Sequence, residues 1–149
     1  MNETSHQKEK TFIMIKPDGI KRKLVGEIIQ RLEKKGFQML ALKMLQANRK
    51  ILVEHYTELK AKFFFEELID FMLSGPVIAM IWQGENIINT ARQMLGATNP
   101  AEAAPGTIRG DFYLGPQQKI NENICHASDS LESAKKETAL WFPKKNYTW

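Results

Sequence analysis

The chain is poor in the residues that mark secreted, membrane-spanning or metal-caged proteins. It has one cysteine, Cys125, so no disulfide can form within the chain, which suits a reducing compartment. No run of about 18 apolar residues is present, so no membrane span is expected. The opening M-N-E-T-S-H-Q-K-E-K is polar and lacks the apolar core of a secretory signal. A cytoplasmic location is expected. There are only three histidines, and no histidine or cysteine pair has metal-ligand spacing. Internal repeats, low-complexity segments and linkers are also missing. Residues 1–10 are expected to be a flexible tail and 11–149 one domain.

What remains is the composition of an ordinary globular domain. The 149 residues are 43% hydrophobic and 26% charged, with a net charge of +4. That mild basicity favours anionic ligands without identifying one. T-F-I-M-I (11–15) reads as a buried strand, and K-P-D-G (16–19) as a turn. A helix is expected from Val25 to Lys35, where Ile28, Ile29 and Leu32 recur at helical spacing, with Gly36 as its stop. A strand is expected over 37–45. Asn48 can cap a helix running to residue 60, and another helix covers 64–73. V-I-A-M-I-W (77–82) is a third strand, followed by a helix over 86–95. Residues 96–119 lack periodicity, and so long a stretch inside a compact domain points to function. N-I-C-H-A-S (123–128) reads as a last strand and 130–142 as a last helix. Without the extra helices, the order is β-α-β-β-α-β. The expected fold is α+β and ferredoxin-like: a four-stranded antiparallel sheet with helices on one face.

His126 is the residue that invites chemistry. His6 lies in the tail, and His55 sits in an amphipathic helix where a packed or solvated role is expected. His126 ends an apolar strand just before a helix N-terminus, a natural place for an anion. An uncharged imidazole can attack phosphorus through one nitrogen if the other is held by an acceptor. Ser128 and Glu137 lie close in sequence. Phosphoryl transfer also needs cations and donors, for which Lys16, Arg92, Arg109 and Thr98 are candidates. Arginine suits phosphate because its planar fork grips two oxygens. The aromatic run F-F-F (63–65) offers a flat surface for a base.

N-I-C-H-A-S-D-S (123–130) resembles the signature of the nucleoside diphosphate kinase family. T-F-I-M-I-K-P-D-G (11–19), S-G-P-V-I-A-M-I-W (74–82), A-R-Q-M-L-G-A-T-N-P (91–100) and P-G-T-I-R-G-D-F (105–112) are similar to its other blocks, in order. A-L-W-F (139–142) resembles its ending. The resemblance implies a ping-pong transfer of the γ-phosphate from a nucleoside triphosphate to a diphosphate, with His126 as the phosphorylated nucleophile. It implies phosphate binding by Lys16, Arg92, Arg109 and Thr98, and ribose contacts from Asn123 and Lys16. Phe64 would stack on the base, with the helix bearing Leu68 completing that cleft. Tyr56 would sit beside the histidine, and Ser128 and Glu137 would hold its ring. Mg2+ would arrive on the nucleotide phosphates, with no direct protein ligand. Stacking carries no hydrogen-bond code, so all bases are expected to enter. A homo-oligomer, hexamer or tetramer, is implied, with no membrane or specific nucleic-acid partner.

Three departures stand out. Residues 113–122 form a longer segment than is usual in the family. Phe63 replaces a common proline, so either Phe63 or Phe64 could be the stacking ring. The tail at 143–149 is short, which leaves the subunit number open. The sequence also leaves open which ring nitrogen of His126 reacts. A non-catalytic nucleotide- or RNA-binding module on the same skeleton lacks the expected aromatics on its strands. The R-G-D triplet at 109–111 has a better explanation in Arg109 than in adhesion. Cys125 should point away from His126, because neighbours on a strand face opposite sides.

Overall fold

The computed structural model describes residues 8–144, so His6 and the last five residues lie outside the described part. Four strands form one antiparallel sheet in the order β2-β3-β1-β4: β1 (Lys8–Ile15), β2 (Gln38–Leu45), β3 (Val77–Glu85) and β4 (Cys125–Ala127). Strand β1 begins at Lys8, pairing with Glu85. Residues 8–10, expected in the tail, therefore belong to the sheet.

The main helices are α2 (Val25–Lys34), α3 (Arg49–His55), α4 (Phe65–Leu73), α5 (Ile87–Leu95) and α7 (Leu131–Trp141), with two short ones, α1 (Pro17–Lys21) and α6 (Ile108–Asp111). Their boundaries follow local chemistry. Asn48 caps α3 by accepting from the Ile51 amide at 2.9 Å, and Ser130 caps α7 by accepting from Ser133 at 3.0 Å. K-P-D-G opens a five-residue helix instead of ending as a turn, with Pro17 in its first turn, where no amide hydrogen is needed. The helix expected to reach residue 60 stops at His55 and gives way to a single 3-10 turn, Thr57–Leu59. The long unperiodic stretch contains a 3-10 turn, Pro100–Glu102, and α6.

Helices cover both faces of the sheet, not one. Phe12 to Ile15 and Val77 to Trp82 are buried without alternation, so β1 and β3 need a cover on each side. Ile13, Ile15, Met80 and Trp82 pack with Ile28 and Leu32 of α2 and Ala91 of α5. On the opposite face Phe12, Met14 and Ala79 pack with Leu52 of α3, Ile69 of α4 and Trp141 of α7. In this second layer α3 touches both α4 and α7, and α7 packs on β1.

Candidate active site

The site starts with K-P-D-G. A Cβ on Gly19 would lie 2.8 Å from the Ile124 carbonyl oxygen, so only glycine lets α1 approach β4 this closely. Ile124 itself has φ +77, a costly conformation for a β-branched residue. It is fixed from both sides: its amide donates to Asp18 Oδ2 at 2.9 Å and its carbonyl accepts from the Lys16 amide at 2.9 Å. A strained peptide is thus locked two residues before His126.

Lys16 is buried, and its ammonium donates to Asn123 Oδ1 at 2.7 Å. Burial, aided by Arg109, pulls its pKa down to about 8, so it remains mostly charged at neutral pH. Asn123 Nδ2 in turn donates to the Thr98 carbonyl at 3.0 Å. Arg109 is also buried. Its guanidinium donates to the carbonyls of Asn123 (3.0 Å), Gly96 (2.9 Å) and Cys125 (2.6 Å). Three of its five N–H groups are thereby committed to backbone, leaving two to face the cleft. Arg92 and Thr98 are exposed on the cleft wall.

His126 meets this basic group from β4, where it pairs with Met14. Its Nε2 is hydrogen-bonded to Glu137 Oε1 of α7. Ser128 donates to the same oxygen at 3.4 Å from behind. Burial, then the charges of Lys16, Arg109 and Arg92, hold the ring pKa far below its ordinary value, at about 3. Burial pushes Glu137 the other way, upward. The ring is neutral at physiological pH, with Nδ1 as the nitrogen not engaged by Glu137. The Tyr56 hydroxyl is buried beside the site and has no hydrogen-bond partner among the described residues.

His55 is the residue that sequence reasoning undervalued. Its ring centre lies 4.7 Å from that of His126, edge to face, and Trp141 Nε1 donates to its Nδ1 at 3.0 Å. The spacing of Leu52, His55, Tyr56 and Leu59 identified an inward face but not what that face meets. Asp129, on the cleft wall just before α7, was also missed; its Oδ1 accepts from Ser133 Oγ at 2.5 Å. Cys125, as expected, points into the opposite core, where burial raises its thiol to about 11.

These residues surround one cleft of about 990 Å³. Lys16, Tyr56, Phe64, Leu68, Arg92, Thr98, Arg109, Asn123, His126 and Glu137 all line it, and Ser128 stands behind Glu137. The structure therefore brings together every residue singled out from the sequence. The inner end is basic and holds His126. The outer end is framed by Phe63 and Phe64 on one side and the 113–122 segment on the other.

The only grouping of three metal-capable side chains among the described residues is His55, His126 and Glu137. Such an imidazole-rich set does not suit magnesium, which prefers oxygen ligands and keeps its waters.

Comparison with known proteins agrees with the geometry. A family model, "Nucleoside diphosphate kinase", matches residues 9–147. The chain is 55% identical over 141 residues to nucleoside diphosphate kinase B of Flaveria bidentis, covering 95% of this chain and 93% of that protein. It is 53% identical over 134 residues to human nucleoside diphosphate kinase 3, covering 90% of this chain and 77% of that one. Among solved structures it is similar to a nucleoside diphosphate kinase family protein from Babesia bovis, with TM-score 0.87, 46% identity and coverage of 95% and 93% of the two chains. With a matching family model, close relatives and the same fold, this chain belongs to the nucleoside diphosphate kinase family.

Proposed function

We propose that the protein moves the terminal phosphoryl group of a nucleoside triphosphate to a nucleoside diphosphate through His126, with Nδ1 as the attacking nitrogen. The observation that carries this is the Nε2–Glu137 contact beside a cluster of cations. With Nε2 held, the Nδ1 lone pair is available in a ring kept uncharged. In the first half-reaction the Nδ1–P bond forms as the bond from phosphorus to the bridging oxygen breaks, and the diphosphate leaves with that electron pair. Glu137 stabilises the positive charge that develops on the ring through the Nε2 proton. In the second half a terminal oxygen of the incoming diphosphate takes the phosphoryl group and the ring returns to neutrality.

Lys16, Arg92 and the two remaining N–H groups of Arg109 neutralise the phosphate oxygens, where charge spreads in the transition state. The Tyr56 hydroxyl and Thr98 supply donors. Lys16 and Asn123, already bonded to each other, contact the ribose hydroxyls. Phe64 stacks on the base beside Leu68.

Mg2+ would arrive on the nucleotide's own oxygens, since the inner cleft is basic and offers it no oxygen cage, and would supply further charge neutralisation there. The protein works as a homo-oligomer, hexamer or tetramer, in the cytoplasm. Edge strand β2 supports self-association, because Leu42 and Met44 on it are 46% and 57% exposed. Incubation with γ-labelled ATP should place acid-labile, alkali-stable phosphate on the protein. Its absence would reject this mechanism.

A further inference from the structure

The outer mouth of the cleft carries an ion pair that the phosphate chemistry does not use. Glu67 stands three residues after Phe64, so its carboxylate lies on the same side of α4 as the stacking ring. Lys119 comes from the opposite lip, next to Ile120. Lys119 Nζ lies 3.4 Å from Glu67 Oε1, and both side chains are well exposed, at 68% and 61%. An exposed pair of this kind contributes little to stability and opens easily. Its position across the mouth, beside the ring that holds the base, is what gives it a use.

The lip bearing Lys119 is built to stay in place. Gly115, at φ +111, starts a turn closed by Gln118 donating to its carbonyl at 3.0 Å. Gln118 Oε1 accepts from the Leu114 amide at 2.8 Å, and its Nε2 donates to the Glu122 carbonyl at 2.7 Å. Gln117 Nε2 donates to the Leu114 carbonyl at 2.7 Å. These two carboxamides are thus occupied in bracing the loop. The ionic groups at this edge include the donor-only Lys119 ammonium and the acceptor-only Glu67 carboxylate.

We propose that Glu67 and Lys119 read the edge of the stacked base and make guanine the favoured one; this rests on the kinase reading above. Guanine presents an acceptor at O6 and two adjacent donors, N1–H and the N2 amino group. The Glu67 carboxylate accepts from both donors, and the Lys119 ammonium donates to O6. Adenine has no amino group at position 2 and an acceptor at N1, so it cannot make the paired contact with a carboxylate. Uracil offers one donor, N3–H, between two carbonyl acceptors, and makes part of the set. The longer 113–122 segment thereby adds a base preference to a stack that alone has none.

The test compares kcat/KM for GDP and ADP as acceptors at low salt. A guanine preference of about fivefold is expected for polar contacts at an exposed rim, falling as salt rises. In Glu67→Gln/Lys119→Met the ratio should drop toward one. A ratio within about twofold of one in the unaltered protein, or a preference that survives the double substitution, overturns the proposal. If no nucleotide phosphorylates the protein, the kinase reading fails separately. Equilibrium titration with GDP and ADP then decides the edge reading, equal affinities rejecting it.

Discussion

The two ends of the cleft are built on opposite principles. At the inner end, charged and polar groups are buried and tied to one another: Lys16 to Asn123, Arg109 to three carbonyls, Glu137 to His126 and Ser128. At the outer end the side chains are exposed; Phe63 is 99% exposed, and a single ion pair joins the lips. Buried networks tolerate little change, because a lost partner strands a polar group away from water. Exposed rims tolerate much. The chemistry sits at the first kind of end, and Phe63 and the 113–122 segment sit at the second.

The comparison breaks most sharply at His126. His126→Ala should lower transfer by about 10³-fold or more while the protein keeps its fold, measured by coupled assay and circular dichroism. Appreciable residual turnover would mean that the inner end does not act through this ring. The ring's charge state gives a second test without mutation. By ¹⁵N spectroscopy His126 should remain neutral at pH 5, with its proton on Nε2, since its pKa is held near 3. His55, lowered to about 3 mainly by burial, should stay neutral too. Both folded-state values lie below the unfolded value, so the unfolded chain binds more protons. These two groups therefore withdraw stability as the pH falls from about 6.5 toward 3. Titration of His126 near 6.5 would contradict the geometry.

Arg109 tests whether chemistry and architecture separate at the inner end. Its three bonds to Gly96, Asn123 and Cys125 hold together the loop and the strand that carry the site. Arg109→Ala should lower transfer about 10²-fold and destabilise the fold by about 2–4 kcal/mol, seen as a reduced melting temperature. Unchanged stability would show that the guanidinium serves phosphate alone.

Much of the inner end was legible in the sequence, because each part is a short local motif. N-I-C-H-A-S-D-S, K-P-D-G and G-T-I-R-G-D-F each keep their functional residues within a few positions. What could not be read were relations across the chain. The unbroken apolar run V-I-A-M-I-W already calls for a cover on both faces, but which helices supply the second layer depends on contacts far apart in the chain. His55 depends on α3 meeting Trp141, 86 positions away. Glu67 and Lys119 are 52 apart, and each alone is an ordinary surface charge. K-P-D-G was misjudged because a proline that begins a turn and one that begins a helix share the same φ.

The smallest effects sharpen the outer end, where two adjacent rings compete to stack on the base. Phe63 and Phe64 meet edge to face at 5.5 Å, so they cannot both lie flat against one base. Phe64 is partly buried at the start of α4, beside Leu68 on the cleft wall, and a ring held by its neighbours loses little entropy on binding. Phe63 projects almost wholly into water and would have to be ordered by the ligand. Phe64→Ala should therefore raise KM about tenfold with little change in kcat, in keeping with the worth of one stacked base. Phe63→Ala should shift KM by about twofold at most, since an exposed ring adds little without ordering. Steady-state kinetics on both variants decides the matter. A reversed ranking would mean that the base is gripped farther out, by the exposed ring of Phe63.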